Sequence, residues 1–257
     1  MLTFRNINIL FGALLAAIII WDIRSDVAWY YYIVFFLIYS LVLFYGSYNV
    51  SSDFYMKVLC EGSGDKKQIS ISFDDGPSGR YTNEIVDILD KYHVPAAFFC
   101  IGKNIEGNEF MLQKIVNGNH LIGNHSYSHH FWFDMYGASK MAEDLHQMNE
   151  KVFSTVGLKP KLFRPPYGVT NPNLARAVKR QNMVAVGWSI RSMDTVVKDD
   201  QKLLRKVLKA VKPGAIVLFH DTSEATFLML PAFIQKVKDK GFEIVRLDKM
   251  LNITPYA

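Results

Sequence analysis

Apolar residues crowd into two runs near the N-terminus and then recur in short bursts. From Ile7 to Ile20 only Asn8, Gly12 and small alanines interrupt the first run. From Val27 to Tyr45 the second carries no charge and begins with Trp29, Tyr30, Tyr31 and Tyr32. As a helix the second run, about 19 residues, covers ~28 Å, enough to cross a hydrocarbon core, and its aromatic start suits the headgroup level. The first run is about 14 residues; Leu2–Phe4 would lengthen it, with Arg5 snorkelling to the surface. The polar stretch Trp21–Asp26 between them predicts the loop of a transmembrane helical hairpin over residues 1–48. The rivals are a signal peptide followed by one anchor and, for the first run, a buried core helix. No small-residue cleavage pattern follows Ile20, which argues against the signal peptide.

Gly46–Asp53 and Glu61–Lys67 are small, polar and turn-rich, so residues 49–67 read as a juxtamembrane linker. Beyond it, strand-like bursts alternate with amphipathic helical patterns. The bursts are Ile69–Phe73, Ala97–Ile101, Leu121–Gly123, Leu162–Arg164, Val184–Trp188, Ala215–Phe219 and Glu243–Arg246. The helical patterns are Asn83–Tyr92, Glu109–Asn117, Lys140–Val156, Pro172–Gln181, Gln201–Val211 and Leu230–Lys240. In the first of these, Ile85, Ile88, Leu89 and Tyr92 fall at helical spacing. Repeated strand–helix units predict an α/β fold, a closed or nearly closed parallel barrel of about seven strands over residues 68–257. Such barrels carry their chemistry after the C-terminal ends of the strands. The polar residues at those positions are Asp74, Asp75, His125, Arg164, Ser189 to Asp194, His220 and Asp221.

Composition changes this picture little. Half the 257 residues are hydrophobic, the surplus lying in the first fifty. The net charge of +5 falls wholly on the remainder, because Arg5 and Arg24 balance Asp22 and Asp26. It forms no dense basic stripe of the nucleic-acid-binding kind and fits solvated lysines, or approach to anionic envelope polymers or headgroups. Cys60 and Cys100 decide nothing about redox compartment; Cys100 closes an apolar burst and reads as a packing residue.

The candidate chemistry lies in "FDDGP", "NHSYSHH" and "LFHD". His125 and His129, four apart, would face the same way on a helical turn, and with one carboxylate they make a donor set for a divalent ion with open positions. Alone such a pair is ordinary surface, and His130 adds ambiguity. The aspartates and His220, each after a strand, favour the metal reading. Of Asp74 and Asp75, one would bind the ion. The other, near Arg164, would stay ionised and accept a proton from water. A Lewis acid with a separate base and acid is equipment for cleaving an acyl bond.

The motifs "SFDDGP", "HSYSH", "RPPYG" and "LFHD", in this order, resemble the NodB-type polysaccharide deacetylases of carbohydrate esterase family four, over about Gln68 to Leu251. The resemblance implies a distorted (β/α) barrel and removal of N- or O-acetyl groups from an acetylated amino-sugar glycan. It implies Asp74 as general base; Asp75, His125 and His129 as metal ligands; and Arg164 as orienter of the base. The Tyr167 backbone N–H would stabilise the oxyanion, and His220 would act as general acid. Leu218 and Trp188 would wall the acetyl pocket, with Pro166, Tyr167, Arg191 and Asp194 beside the substrate. Singly, Arg164 could be a surface ion-pair partner, Pro165–Pro166 a rigid turn, and Leu218 and Trp188 ordinary core. One stretch departs from the family: where many members have D-x-x-D-W, "SIRSMDT" places Arg191 for the first Asp, Asp194 for the second and Thr195 for the Trp. Asp194 and Asp221 are thus both candidates to tune His220, and Arg191 favours an anionic neighbour on the substrate.

The resulting expectation is a membrane-anchored hydrolase using one divalent ion, Zn²⁺ first, with Co²⁺ or Ni²⁺ as alternatives. A deformylase or deacetylase of a lipid-linked sugar is the enzymatic rival, and an inactive glycan-binding module the non-catalytic one. The partners are the glycan or lipid-linked sugar and the membrane, with no nucleic acid and no protein partner inferable. Substrate logic places the catalytic domain outside a bacterial inner membrane, although Arg5, Lys57, Lys66 and Lys67 faintly favour the inside.

Overall fold

The computed structural model describes residues 2–257. Two helices open it, α1 (Phe4–Ser25) and α2 (Tyr30–Tyr48), both long and apolar enough to cross a membrane. They lie side by side, Tyr39 donating to Asn8 Oδ1 at 2.5 Å and Phe11 packing on Phe35 and Tyr39. The polar stretch Trp21–Asp26 is not a loop: α1 continues to Ser25, and only residues 26–29 connect the helices. The reason is local. The Asp22 carboxylate accepts from Val27 N–H at 2.7 Å and from the Tyr32 hydroxyl at 2.9 Å, closing the turn from inside the helix.

The remainder is a parallel-strand half-barrel wrapped by helices. Its strands are β1 (Gln68–Asp74), β2 (Ala96–Cys100), β3 (Leu121–Asn124), β4 (Leu162–Phe163), β5 (Val184–Ala185), β6 (Ile190–Arg191), β7 (Ile216–His220) and β8 (Glu243–Ile244). Seven run in the order β5-β4-β3-β2-β1-β7-β6, and β8 joins the start of β1. Every ladder is parallel. The barrel does not close: among the described residues no ladder joins β5 to β6. The chain entering from α2 runs along this seam, with Leu59 bridged to Val186 and Glu61 to Ala215. Val50, Phe54, Val58 and Cys60 are buried on the way. β6 had no counterpart in the sequence pattern, because Ile190 beside Arg191 forms no apolar burst.

Every predicted helix is present: α3 (Thr82–Lys91), α4 (Glu109–Asn117), α5 (Ala138–Val156), α6 (Pro172–Arg180), α7 (Asp200–Ala210) and α8 (Glu224–Asp239), followed by a short α9 (Leu247–Leu251). α8 begins six residues before the predicted Leu230, because the Ser223 hydroxyl caps Thr226 N–H and Glu224 sits in the first turn.

The pleat of β1 explains how the fold feeds the site. Ile69, Ile71 and Phe73 are buried in a cluster with Phe98, Phe219, Leu230 and Phe233. The alternate residues Ser70, Ser72 and Asp74 therefore face the other way, into the barrel. There Ser72 donates to Val217 O at 2.9 Å and accepts from Arg164 at 2.9 Å. An apolar face packs the helices while a polar face ends at Asp74.

Candidate active site

Asp74 closes β1, His125 follows β3, Arg164 follows β4 and His220 closes β7, so the parallel sheet delivers all four to one rim. Asp74, His125 and His220, together with Asp75, His129, Tyr167, Trp188, Arg191 and Leu218, surround a cavity of about 210 Å³, and Arg164 lies behind it.

Arg164 is fully buried within the barrel. Its Nη1 donates to Asp74 Oδ1 at 2.7 Å, its Nη2 to Gly187 O at 2.8 Å and its Nε to Val186 O at 3.3 Å, and it lies 4.0 Å over the Phe99 ring. Burial raises the Asp74 carboxyl above the ordinary carboxylate range, with Arg164 the strongest opposing pull. The outcome is a fixed carboxylate whose second oxygen faces the cavity, more basic than a surface aspartate.

Asp75 turns aside at a positive φ of 77°. Its Oδ1 lies 3.6 Å from both His125 Nε2 and His129 Nε2, and its Oδ2 lies 3.9 Å from His220 Nε2. Close approach makes Gly76 obligatory, since a Cβ there would sit 1.9 Å from Asp221 Oδ2.

The two histidines are not on a helix. Residues 125–129 form a loop with Ser126 (φ 67°) and His129 (φ 41°) in the left-handed region, and that reversal, not helical spacing, brings the rings together at 5.0 Å. Two residues that sequence reasoning missed hold this loop. Asn124 Oδ1 accepts Ser126 N–H at 2.9 Å, and Asp144 of α5 accepts Tyr127 N–H at 2.6 Å and Ser128 N–H at 3.3 Å. His125 Nδ1 lies 2.8 Å from the Arg164 carbonyl, which can only accept, so the proton is on Nδ1 and Nε2 offers a lone pair to the centre. Burial pulls the His125 imidazolium down to about 3, and burial lowers His129 as well. Both rings are therefore neutral, as metal ligation requires. Oxygen or nitrogen donors of Asp75, His125 and His129 all lie within 4.8 Å of one another, so the three residues fit a single ion.

Across the cavity stands His220. Its Nδ1 lies 2.7 Å from Asp194 Oδ1, and its backbone N–H donates to Asp194 Oδ2 at 2.7 Å. Ser192 and Thr226 hydroxyls complete the shell at 2.9 and 2.5 Å. Burial alone would lower the His220 imidazolium; the hydrogen bond and charge of Asp194, with Asp74 and Asp75 behind it, carry it up to about 9. This geometry decides between the two carboxylates: Asp194 is the partner of His220. Asp221 instead accepts from the Thr82 hydroxyl at 2.7 Å, and burial pushes it up to about 7.

Trp188, Leu218, Tyr167 and Arg191 line the cavity. Pro166 and Asp194, expected beside the substrate, are buried and are not among its lining residues. Pro166 shapes the turn, and Asp194 acts from behind His220. Arg191 is exposed, its guanidinium 5.8 Å over the Trp188 ring. Thr195, standing where a Trp was expected, also lines the cavity.

A parallel half-barrel with two imidazoles and a carboxylate converging at its rim, flanked by a buried carboxylate and a third imidazole, defines a half-barrel hydrolase site. The polysaccharide deacetylase family profile matches residues 61–186. A peptidoglycan-N-acetylglucosamine deacetylase of Bacillus cereus is 31% identical over 198 residues, 74% of this chain and 70% of that protein. The chain belongs to the polysaccharide deacetylase family. The peptidoglycan-N-acetylglucosamine deacetylase of Listeria monocytogenes is 29% identical, but this chain covers only 39% of its length. Among solved structures, a peptidoglycan N-acetylglucosamine deacetylase bound to an N-hydroxybenzamide compound superposes with a TM-score of 0.74 at 28% identity, over 78% of this chain and 95% of that one. A pseudoenzyme of the same family from Bacillus anthracis superposes at 0.71 with 26% identity, over 76% and 69%. Fold similarity therefore does not separate active from inactive members; the site residues must.

Proposed function

We propose that the chain is a metal-dependent deacetylase that removes N-acetyl groups from an amino-sugar glycan of the cell envelope. One observation carries this reading: an intact Asp75–His125–His129 donor set lies between two poised proton carriers, Asp74 and His220, within one cavity. The relatives named as deacetylases of peptidoglycan N-acetylglucosamine and N-acetylmuramic acid supply the substrate class. That intact set argues against an inactive glycan-binding module.

Two imidazoles and a carboxylate suit Zn²⁺, with Co²⁺ or Ni²⁺ as alternatives. Bound there, the ion supplies Lewis acidity to the acyl oxygen and acidifies a water. The chain's own groups do the rest. Asp74, locked by Arg164, accepts the proton of the attacking water. Tyr167, held at a φ of 59°, directs its backbone N–H at the developing oxyanion. Trp188 and Leu218 wall a slot for the acetyl methyl group and exclude water from it. His220, charged at neutral pH, delivers its proton to the departing sugar nitrogen.

Residues 1–48 act as a hairpin anchor in a bacterial inner membrane and residues 68–257 as the catalytic domain, outside the cytoplasm where peptidoglycan lies. A lipid-linked sugar is the second reading, favoured by the exposed Arg191 at the cavity rim, which suits a phosphate beside the sugar. Turnover of chito-oligosaccharides and peptidoglycan fragments, measured against polyprenyl-phosphate sugars, decides between them; hydrolysis of none would sink both. His129→Ala is expected to yield a folded chain that no longer holds one equivalent of metal after dialysis, by elemental analysis. Full retention would place the ion elsewhere.

A further inference from the structure

The turn after His129 carries three large apolar side chains into solvent. Phe131, Trp132 and Met135 are 69%, 55% and 71% exposed, while Phe133 between them is buried. With Tyr167 and Val169 they line a second, mostly apolar cleft of about 240 Å³. Tyr167 lines the catalytic cavity as well, so the two clefts share a wall. Clustered apolar exposure of this kind marks a contact surface.

The position of this lip indicates what it contacts. Asn171 Nδ2 donates to Asp134 O at 2.7 Å, fixing the turn to the segment that follows Tyr167. The preceding residue, Thr170, donates its N–H to Ser47 O at 3.0 Å and its hydroxyl to Gly46 O at 3.2 Å, both in the last turn of α2. Two consecutive residues therefore join the lip to the end of the hairpin. α2 has 19 residues, which at 1.5 Å each span ~28 Å, the thickness of a hydrocarbon core. A spanning α2 puts Gly46 and Ser47 at the interface, and the lip beside them at headgroup depth. Tryptophan and other aromatic side chains are enriched at that depth.

We propose that Phe131, Trp132 and Met135 seat the catalytic rim in the interfacial layer of the bilayer that holds α1 and α2. The cavity then opens along the membrane surface, and the substrate is an acetylated sugar held close to that surface. The proposal rests on the anchoring given above.

The test uses the full chain in phosphatidylcholine–phosphatidylglycerol vesicles. An environment-sensitive nitrobenzoxadiazole label is attached to one introduced cysteine at a time: Leu41→Cys in α2, Met135→Cys in the lip, and Lys240→Cys beyond α8 at the opposite pole. The native Cys60 and Cys100 are buried and free of disulfide. Expected are blue-shifted emission and quenching by nitroxide lipids at positions 41 and 135, with aqueous emission at 240. Aqueous emission at 135 overturns the proposal, whatever position 41 shows. Aqueous emission at 41 overturns the anchoring and the proposal with it, whereas lipid quenching at 41 with aqueous emission at 135 overturns the proposal alone. Phe131→Ser/Trp132→Ser supplies a second readout: it should raise KM for a membrane-held substrate and leave KM for a soluble oligosaccharide unchanged. A raised KM for the soluble oligosaccharide with an aqueous label at 135 would make the lip a glycan platform and overturn the proposal.

Discussion

Asp74→Asn is expected to lower kcat by about 10²–10⁴-fold, the range contributed by one positioned acid–base group. An amide cannot take the proton that the buried carboxylate is placed to accept. The same substitution carries a stability cost that its position in the motif would not suggest. Arg164 is fully buried, and among the described residues Asp74 is its only carboxylate partner. Removing one member of a buried ion pair strands the other charge, a loss of about 3–5 kcal/mol. Asparagine keeps an acceptor for Nη1 and falls toward the lower end; alanine falls at the upper end. Metal content should hold, because Asp74 lies outside the Asp75–His125–His129 set. Calorimetry, elemental analysis and turnover per folded molecule separate these effects. Near wild-type kcat with a lowered Tm would leave Asp74 as a structural partner of Arg164 and end its role as base.

This double role shows where the sequence was informative. "SFDDGP" could be read as a strand ending in two carboxylates because β1 alternates cleanly, and "LFHD" could be placed at a second strand end because it closes the continuous apolar run Ala215–Phe219. The strand–helix alternation likewise foretold a parallel barrel of about seven strands, though not that it stays open, since helices such as α3 bury a stripe of regular period. What stayed hidden depends on contacts between residues remote in the chain. Asp144, on α5, shapes the histidine loop across 17 residues, and nothing in its helical surroundings distinguishes it from a surface acid. The choice of Asp194 over Asp221 rests on which carboxylate faces Nδ1 of His220 after folding, and both follow plausible strand ends. The loop conformation of residues 125–129 escaped because a four-residue spacing suggests a helix, whereas Ser126 and His129 adopt positive φ under constraint from Asn124 and Asp144. The join between Thr170 and α2 is long-range in the same way.

Asp194→Asn should have the second large effect, and its signature lies in the pH profile. His220 is held up to about 9 by the Asp194 hydrogen bond and charge, well above the ordinary 6.5. As the acid, it must be charged, so wild-type activity falls as pH rises through the His220 value. In the Asp194→Asn variant the attraction is lost while burial remains, so the imidazolium weakens and the alkaline limb moves to lower pH. At pH 7.5 the loss in kcat/KM is expected to reach ~10²-fold or more, because both protonation and ring orientation depend on the carboxylate. The effect should shrink as pH is lowered, which a simple packing defect would not do. Stability follows the same sign. A histidine whose folded value is raised contributes fully below its unfolded value near 6.5, and that contribution is lost as pH rises through about 9. The gap in Tm between wild type and variant should therefore be widest near pH 6 and narrow by pH 10. A pH-independent rate loss, with a constant gap in Tm, would show that Asp194 merely packs against His220 and does not set its charge.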